Sequence, residues 1–362
     1  MKQIILRILV WTPVAVAGIL LLAVLFVAAA RLITRSNVRI TSDNGVDEGV
    51  YVELCGQEQY LLIRGEDTSN PVVIWVHGGP SSPDGYANYA WQQHLTDRYT
   101  FINWDQRGCG RTYFRNAASD PHNATATFPQ ALEDLDALVD YARERFGQDQ
   151  VIIVGHSYGT LLGSAYIHLH PEKVAAYIGV GQLVSFESEL FSYDHALGVA
   201  KERGDDVTAM QAAHDAYLAE PTLINMIAMR RTTLPYHTPA REASTLWLGI
   251  ASPHMGMSDL RWFLLQCGDM EDYFALNQPL YDYILTADVR DFGLTCAMPV
   301  GFITGGSDWV TPVKYAQDYH DMLTAPEKRI ALIEGCGHSP HYDAPEEFAA
   351  TLGAMLETFL SH

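Results

Sequence analysis

The sequence is short of three things: paired cysteines, basic residues beyond its first 35 positions, and repetition. Its five cysteines, Cys55, Cys109, Cys267, Cys296 and Cys336, are scattered without CxxC spacing, which argues against a zinc knuckle or a disulfide scaffold. The odd count leaves at least one thiol without an intrachain partner, and pairing among the others stays open if the body is exported. Four basic residues, Lys2, Arg7, Arg31 and Arg35, stand in an acid-free leader, so the remainder carries 19 basic against 43 acidic residues. A body this acidic repels phosphate backbones, which argues against nucleic acid as a partner. No internal repeat or low-complexity tract is present, and 362 residues suit one α/β domain carrying an insertion. We expect no metal and no cofactor.

Charge is also missing from Ile8 to Ala30, 23 residues bracketed by Lys2 and Arg7 before and by Arg31 and Arg35 after. As a helix at about 1.5 Å per residue, this run is long enough to cross a hydrocarbon core of roughly 30 Å. Trp11 near one end suits an interface position. Cleavage after Ala28-Ala29-Ala30 would make it a signal peptide and the body a secreted protein. The length of the run and the basic residues that follow it favour an uncleaved single-pass anchor, and the very short amino-terminal tail favours a body outside the cytoplasm.

Residues 1–35 are therefore expected to form the membrane segment, and Ile33 to Glu48 a polar tether. Val50 to Leu54 and Tyr60 to Arg64 then pattern as an antiparallel hairpin. Six apolar runs follow, at Val72–Val76, Thr100–Trp104, Val151–Val154, Ala176–Val180, Val300–Thr304 and Ile330–Ile333. Continuous rather than alternating apolar strands predict a parallel sheet covered on both faces. Helical spacing between the strands, as from Thr127 as N-cap to Gly147 and after Pro345, predicts an open doubly wound sheet. The alternation stops from residue 186 to 292, which is rich in helix formers and broken by prolines. The spacing predicts a helical insertion there, between core segments 36–185 and 293–362. Asn123-Ala124-Thr125 fits the glycan-acceptor pattern.

The chemistry centres on Gly155-His156-Ser157-Tyr158-Gly159, set between the Val151–Val154 strand and a helix-like stretch from Thr160. Such a turn admits only small residues beside the serine and lifts its hydroxyl above the sheet edge. A serine hydroxyl needs a base, and the base an orienting carboxylate. Asp308 follows one strand run and His338 the next, in the order acid then histidine that this sheet type uses. His341 is the rival base and is expected to pack or to face solvent. The oxyanion calls for backbone donors, for which we take the amides of Tyr158 and of Gly79 in His77-Gly78-Gly79-Pro80. The loop Asp105-Gln106-Arg107-Gly108-Cys109-Gly110-Arg111 is expected to hold its neighbours through Asp105 and Arg107. Cys109 has no histidine placed for it in sequence.

These motifs together resemble the α/β-hydrolase superfamily and, within it, the proline iminopeptidases. The resemblance covers about residues 48 to 360. It implies an α/β-hydrolase sheet with an inserted helical cap, Ser157 as nucleophile, His338 as general base and acid, and Asp308 as orienting carboxylate. It also implies an acyl-enzyme, a short-peptide or small-molecule substrate, and cap acids holding the substrate's amino group. Two departures stand out: Ser81 where the family usually continues with glycine, and His156 and Tyr158 where glycine and tryptophan often flank the serine. The elbow is equally similar to that of esterases, so a carboxylesterase or lipid hydrolase is the alternative. A non-catalytic binding protein on the same fold is the third reading, against which the complete triad speaks.

Overall fold

The computed structural model describes residues 2–241, 243–268 and 270–361. β1 (Val46–Leu54) and β2 (Gln57–Gly65) pair antiparallel across a turn at Cys55-Gly56, where both residues take positive φ, 46° and 80°. Six further strands follow: β3 (Val72–Val76), β4 (Thr100–Asp105), β5 (Val151–His156), β6 (Val174–Val180), β7 (Val300–Gly305) and β8 (Lys328–Ile333). They join the hairpin in one sheet of order β1-β2-β4-β3-β5-β6-β7-β8, and from β4 to β8 every pairing is parallel. β3, β4 and β5 are buried along their whole length, as their unbroken apolar runs require. Core clusters lie on both faces of the sheet, one built around Leu135, Leu161 and Trp104, the other around Trp75, Trp91 and Phe348.

The helix Phe128–Phe146 starts and stops where its sequence says. The Thr127 side chain accepts from the Gln130 amide, and Gly147 closes the helix at φ 61°. The tether, in contrast, is shorter than expected. The first helix runs Lys2–Asn37 and β1 begins at Val46. The strand starts early because Asp47 lies opposite Arg64, whose buried guanidinium it pairs with at 3.1 Å. Within the first helix, Trp11–Asn37 is mostly exposed, contains an 18-residue stretch with a mean hydropathy of 2.7, and is long and apolar enough to cross a membrane. Asn123 is buried and donates its amide to the Gly108 carbonyl at 2.7 Å, so the folded chain does not offer it to a glycan. All five cysteines are free thiols.

Between β6 and β7 the described residues add no strand to the sheet. The longer helices there are Glu187–Arg203, Thr208–Ala219, Leu223–Thr233 and Met257–Gly268, with shorter ones at Thr245–Ala251, Met270–Leu276 and Gln278–Ile284. The first three share a small core of their own around Tyr193, Met210 and Met229.

Candidate active site

Ser157 stands between β5 and the helix Tyr158–Leu169 at φ 52°, ψ −121°, a conformation that a non-glycine residue adopts only when its surroundings enforce it. The surroundings are close backbones. A Cβ on Gly159 would lie 2.0 Å from the Val76 carbonyl oxygen, so only glycine lets the helix start against β3. A Cβ on Gly78 would meet the Ser157 Cβ at 2.9 Å, which places the loop after β3 directly against the serine. Tyr158 is the first residue of its helix, where an amide has no intrahelical acceptor.

The loops after β7 and β8 meet beside this turn. A Cβ on Gly305 would lie 2.0 Å from the Gly337 carbonyl oxygen, so the two loops are in backbone contact. That contact brings His338 Nδ1 to 2.9 Å from Asp308 Oδ2. Asp308 is buried, and its other oxygen accepts the amides of Val310 and Thr311, both at 2.9 Å. Thr311 Oγ1 adds a donor to Oδ2 at 2.7 Å. Burial alone would raise the Asp308 pKa, but His338 and the Thr311 donors outweigh it and hold the carboxyl below its ordinary value. Among the described residues no hydrogen bond joins the Ser157 hydroxyl to His338, and both line one cavity of about 490 Å³. Gly78, Gly79 and Tyr158 line it as well.

His341 is excluded from that cavity. It is fully buried, with ring centroids 4.6 Å from His156 and 5.1 Å from Trp75, and neither ring nitrogen has a partner among the described residues. It packs, as one of its two expected outcomes. Arg107 and Asp105 also lie outside the cavity lining. Arg107 forms a two-pronged pair with Asp134, both bonds at 2.7 Å, and donates to the Cys55 carbonyl, while Asp105 accepts the Arg111 amide. Cys109, contrary to its spacing in sequence, has a histidine: His77 Nε2 lies 3.4 Å from its sulfur. The thiol is fully buried and desolvation holds its pKa well above the ordinary value, so it remains an inert neutral group.

Three sets of residues escaped the sequence. The first clamps the loop after β3. Trp262 Nε1 donates to the Ser81 carbonyl at 2.9 Å, Tyr273 OH to those of Pro80 and Ser81 at 3.1 Å, and Tyr281 OH to that of Pro80 at 3.3 Å. Ser81 itself takes φ 66°, the left-handed region where glycine would be unstrained, and its hydroxyl donates to Asn277 Oδ1 at 2.6 Å. The second is an ion pair within the helical insertion, Glu189 with Arg230, and Arg230 lines the cavity. The third is Asp84, the one carboxylate among the described residues that line the cavity. Trp75 Nε1 and Asn88 Nδ2 donate to its Oδ1 at 2.9 and 3.1 Å, and burial raises its pKa to about 7. One carboxylate or ring atom each of Asp84, His156 and His341 lie within 4.8 Å of one another, a grouping that could hold a metal by proximity. His156 Nε2 is engaged with the His338 carbonyl at 3.0 Å, and burial together with His338 lowers the His156 pKa to about 3. We assign the grouping no ion. No short motif marks Asp84 or the clamp: the hydrogen bonds of Asp84 are local, but the cavity it enters and the clamp are both built by segments far apart in the chain.

Known proteins share this arrangement of chain. The profile of the alpha/beta hydrolase fold matches residues 71–345. The probable aminopeptidase YbaC of Bacillus subtilis is 25% identical over 305 residues, which cover 82% of this chain and 92% of that one. Proline iminopeptidase of Lactobacillus helveticus is 30% identical over 311 residues, covering 83% and 95%. A solved membrane phospholipase A, described as a bacterial virulence factor, aligns over 100% of both chains with a TM-score of 0.61 at 18% identity, a likeness of fold. The resemblance to proline iminopeptidases carried by the glycine loops and the serine turn is thus matched along most of the chain. On the extent of the matched profile, the protein belongs to the alpha/beta hydrolase fold family.

Proposed function

We propose that the protein is a serine hydrolase that removes the amino-terminal residue of short peptides, in the manner of a proline iminopeptidase. In this reading Ser157 Oγ attacks the acyl carbon while His338 Nε2 takes its proton, and Asp308 holds the imidazole through Nδ1. The amides of Gly79 and Tyr158 receive the oxyanion. His338 then gives the proton to the leaving amine, and water enters by the same route to release the acid. Residues 186–292 act as the cap, residues 1–35 as an uncleaved anchor, and the body lies outside the cytoplasm.

The observation that carries the peptidase reading is Asp84. An aminopeptidase must hold an ammonium group near the scissile carbonyl, and a cavity carboxylate that faces neutral histidines and pairs with no lysine or arginine among the described residues can do so. The cap does not supply one from Glu189, which is occupied by Arg230. A carboxyl whose ionisation is suppressed by burial gains most when a cation arrives.

The alternative, an ester or lipid hydrolase on the same triad, draws on the apolar wall formed by Leu183, Phe186, Leu223, Met226, Ile227 and Ile284.

One series of measurements tests both. The full chain in detergent would first be treated with a fluorophosphonate probe, then with aminoacyl amides and short-chain esters. We expect labelling at Ser157 that His338→Ala abolishes and His341→Phe leaves intact. Asp84→Asn should lower kcat/KM for aminoacyl amides by about ten- to a hundred-fold, the worth of a charged hydrogen bond, and leave the amine-free esters unchanged. An unlabelled Ser157 would remove both readings. Ester turnover without amide turnover would remove the peptidase reading alone.

A further inference from the structure

We infer that the outer face of the cap helices Thr245–Ala251 and Met257–Gly268 lies on the lipid bilayer that holds the first helix. The inference rests on the anchor reading and adds a second contact to it. Three observations converge on one patch.

The first is a seam between the anchor and the cap. Phe26 and Trp247 face each other with ring centroids 5.7 Å apart, and Arg31 Nε donates to the Ile250 carbonyl at 3.0 Å. An apolar cavity of about 380 Å³ opens along this seam, lined by Val27 and Arg31 from the first helix and by Leu246, Ile250, Met257 and Leu260 from the cap.

The second is a stripe that the described residues leave exposed. Met257, Leu260 and Leu264 recur at helical spacing and are 72%, 38% and 58% exposed. The same helix buries its other face, where Asp259 pairs with Arg111 and Trp262 donates to Ser81. Leu246 and Trp247 continue the exposed patch at 53% and 43%.

The third is depth. The uncharged run ends at Ala30, so Arg31 marks the headgroup level. Phe26 stands five residues below Arg31, about 7 Å along the helix axis. Trp247, facing Phe26, is thereby placed at the boundary of hydrocarbon and headgroup, the level tryptophan favours and the depth at which interfacial helices seat their apolar face. A bilayer is the occupant that this geometry selects, since any chain passing through the membrane at Phe26 brings lipid to the flanking stripe. The helix so seated carries Trp262, one of the three clamp residues on the loop after β3, which puts that loop about one helix diameter, roughly 10 Å, from lipid.

The test uses the full chain in phosphatidylcholine nanodiscs. With the exposed cysteines removed (Cys55→Ser, Cys267→Ser), single nitroxide labels would be placed through Trp247→Cys, Met257→Cys, Leu264→Cys and Leu169→Cys. Leu169 is exposed at the end of the helix that runs back from the serine turn towards the start of β6, away from the strand ends that carry the serine. Fluorophosphonate labelling of Ser157 would verify that each variant is folded, and intact mass that residues 1–35 are retained. Labels at 247, 257 and 264 are expected to relax faster with oxygen than with a water-soluble nickel chelate, and the label at 169 to do the reverse. Aqueous behaviour at all four sites in a chain of full mass would overturn the inference while leaving the anchor. A mass lacking the first helix would overturn both.

Discussion

His341 and Asp84 are two buried polar residues with opposite prospects. His341 has no partner for either ring nitrogen among the described residues and sits among Trp75, Tyr342 and Phe348. Removing an unsatisfied polar group from such a site returns its desolvation cost, so His341→Phe should leave the melting temperature unchanged or higher; a drop of several degrees would show that the ring is satisfied in solution. Asp84 faces His156 at the end of β5, His341 and Tyr342 in the short helix Pro340–Asp343, and Tyr86 in its own loop, and its charge reaches Asp105. Its pKa in the folded chain, about 7, exceeds the ordinary 3.8, so the folded state holds a proton that the unfolded state has lost. Stability from this group is therefore present below about pH 4 and declines as pH rises towards 7. Melting curves of the wild type and of Asp84→Asn from pH 4 to 8 should diverge, the variant gaining relative stability as pH rises. Parallel curves would mean that the carboxyl is solvated.

At the scale of elements, the fold rests on places where two backbones touch and on a few buried ion pairs. The loop after β4 is tied to the helix Phe128–Phe146 by Arg107 and Asp134, whose side chains are 5% and 0% exposed. Breaking a pair so buried strands a charge, and Arg107→Ala should cost about 3–5 kcal/mol in denaturant unfolding. The doubly substituted Arg107→Met/Asp134→Leu should recover much of that loss, and failure to recover would assign the cost to packing instead. Legibility differed between these devices. Arg107 was readable as a holder of loops because it follows a strand in a glycine-rich turn; Asp134, 27 residues away on a helix, was not readable as its partner. The serine turn was legible because its demand for glycine is local, and Asp308 and His338 because each follows its own strand. The clamp from Trp262, Tyr273 and Tyr281 was hidden, since a helix of the insertion shows its spacing but not the loop it will meet.

The whole molecule sets an acidic body against an apolar first helix. Beyond the leader the chain carries an excess of 24 negative charges, which an anionic bilayer repels within a Debye length of about 10 Å at 0.1 M salt. If the cap rests on lipid, its contact should weaken in nanodiscs rich in phosphatidylglycerol at low salt and return in about 0.5 M sodium chloride. The nitroxide at position 257 reads this directly, and a lipid signature indifferent to both would mean that apolar burial alone sets the contact.

What the amino-acid sequence determined by itself was whatever depends on near neighbours: the strand runs and their parallel sheet, the serine turn, the order of acid and histidine, and the apolar span. These follow from periodicity and from glycine's unique fit to a positive φ or a close backbone. Only the tertiary structure decided which of two histidines reaches the carboxylate, that Glu189 is taken by Arg230, that Asp84 enters the cavity, and that an exposed apolar stripe of the insertion lies beside the first helix. Each of these is a contact between segments far apart in the chain, and residue spacing carries no record of which distant surface a side chain will meet.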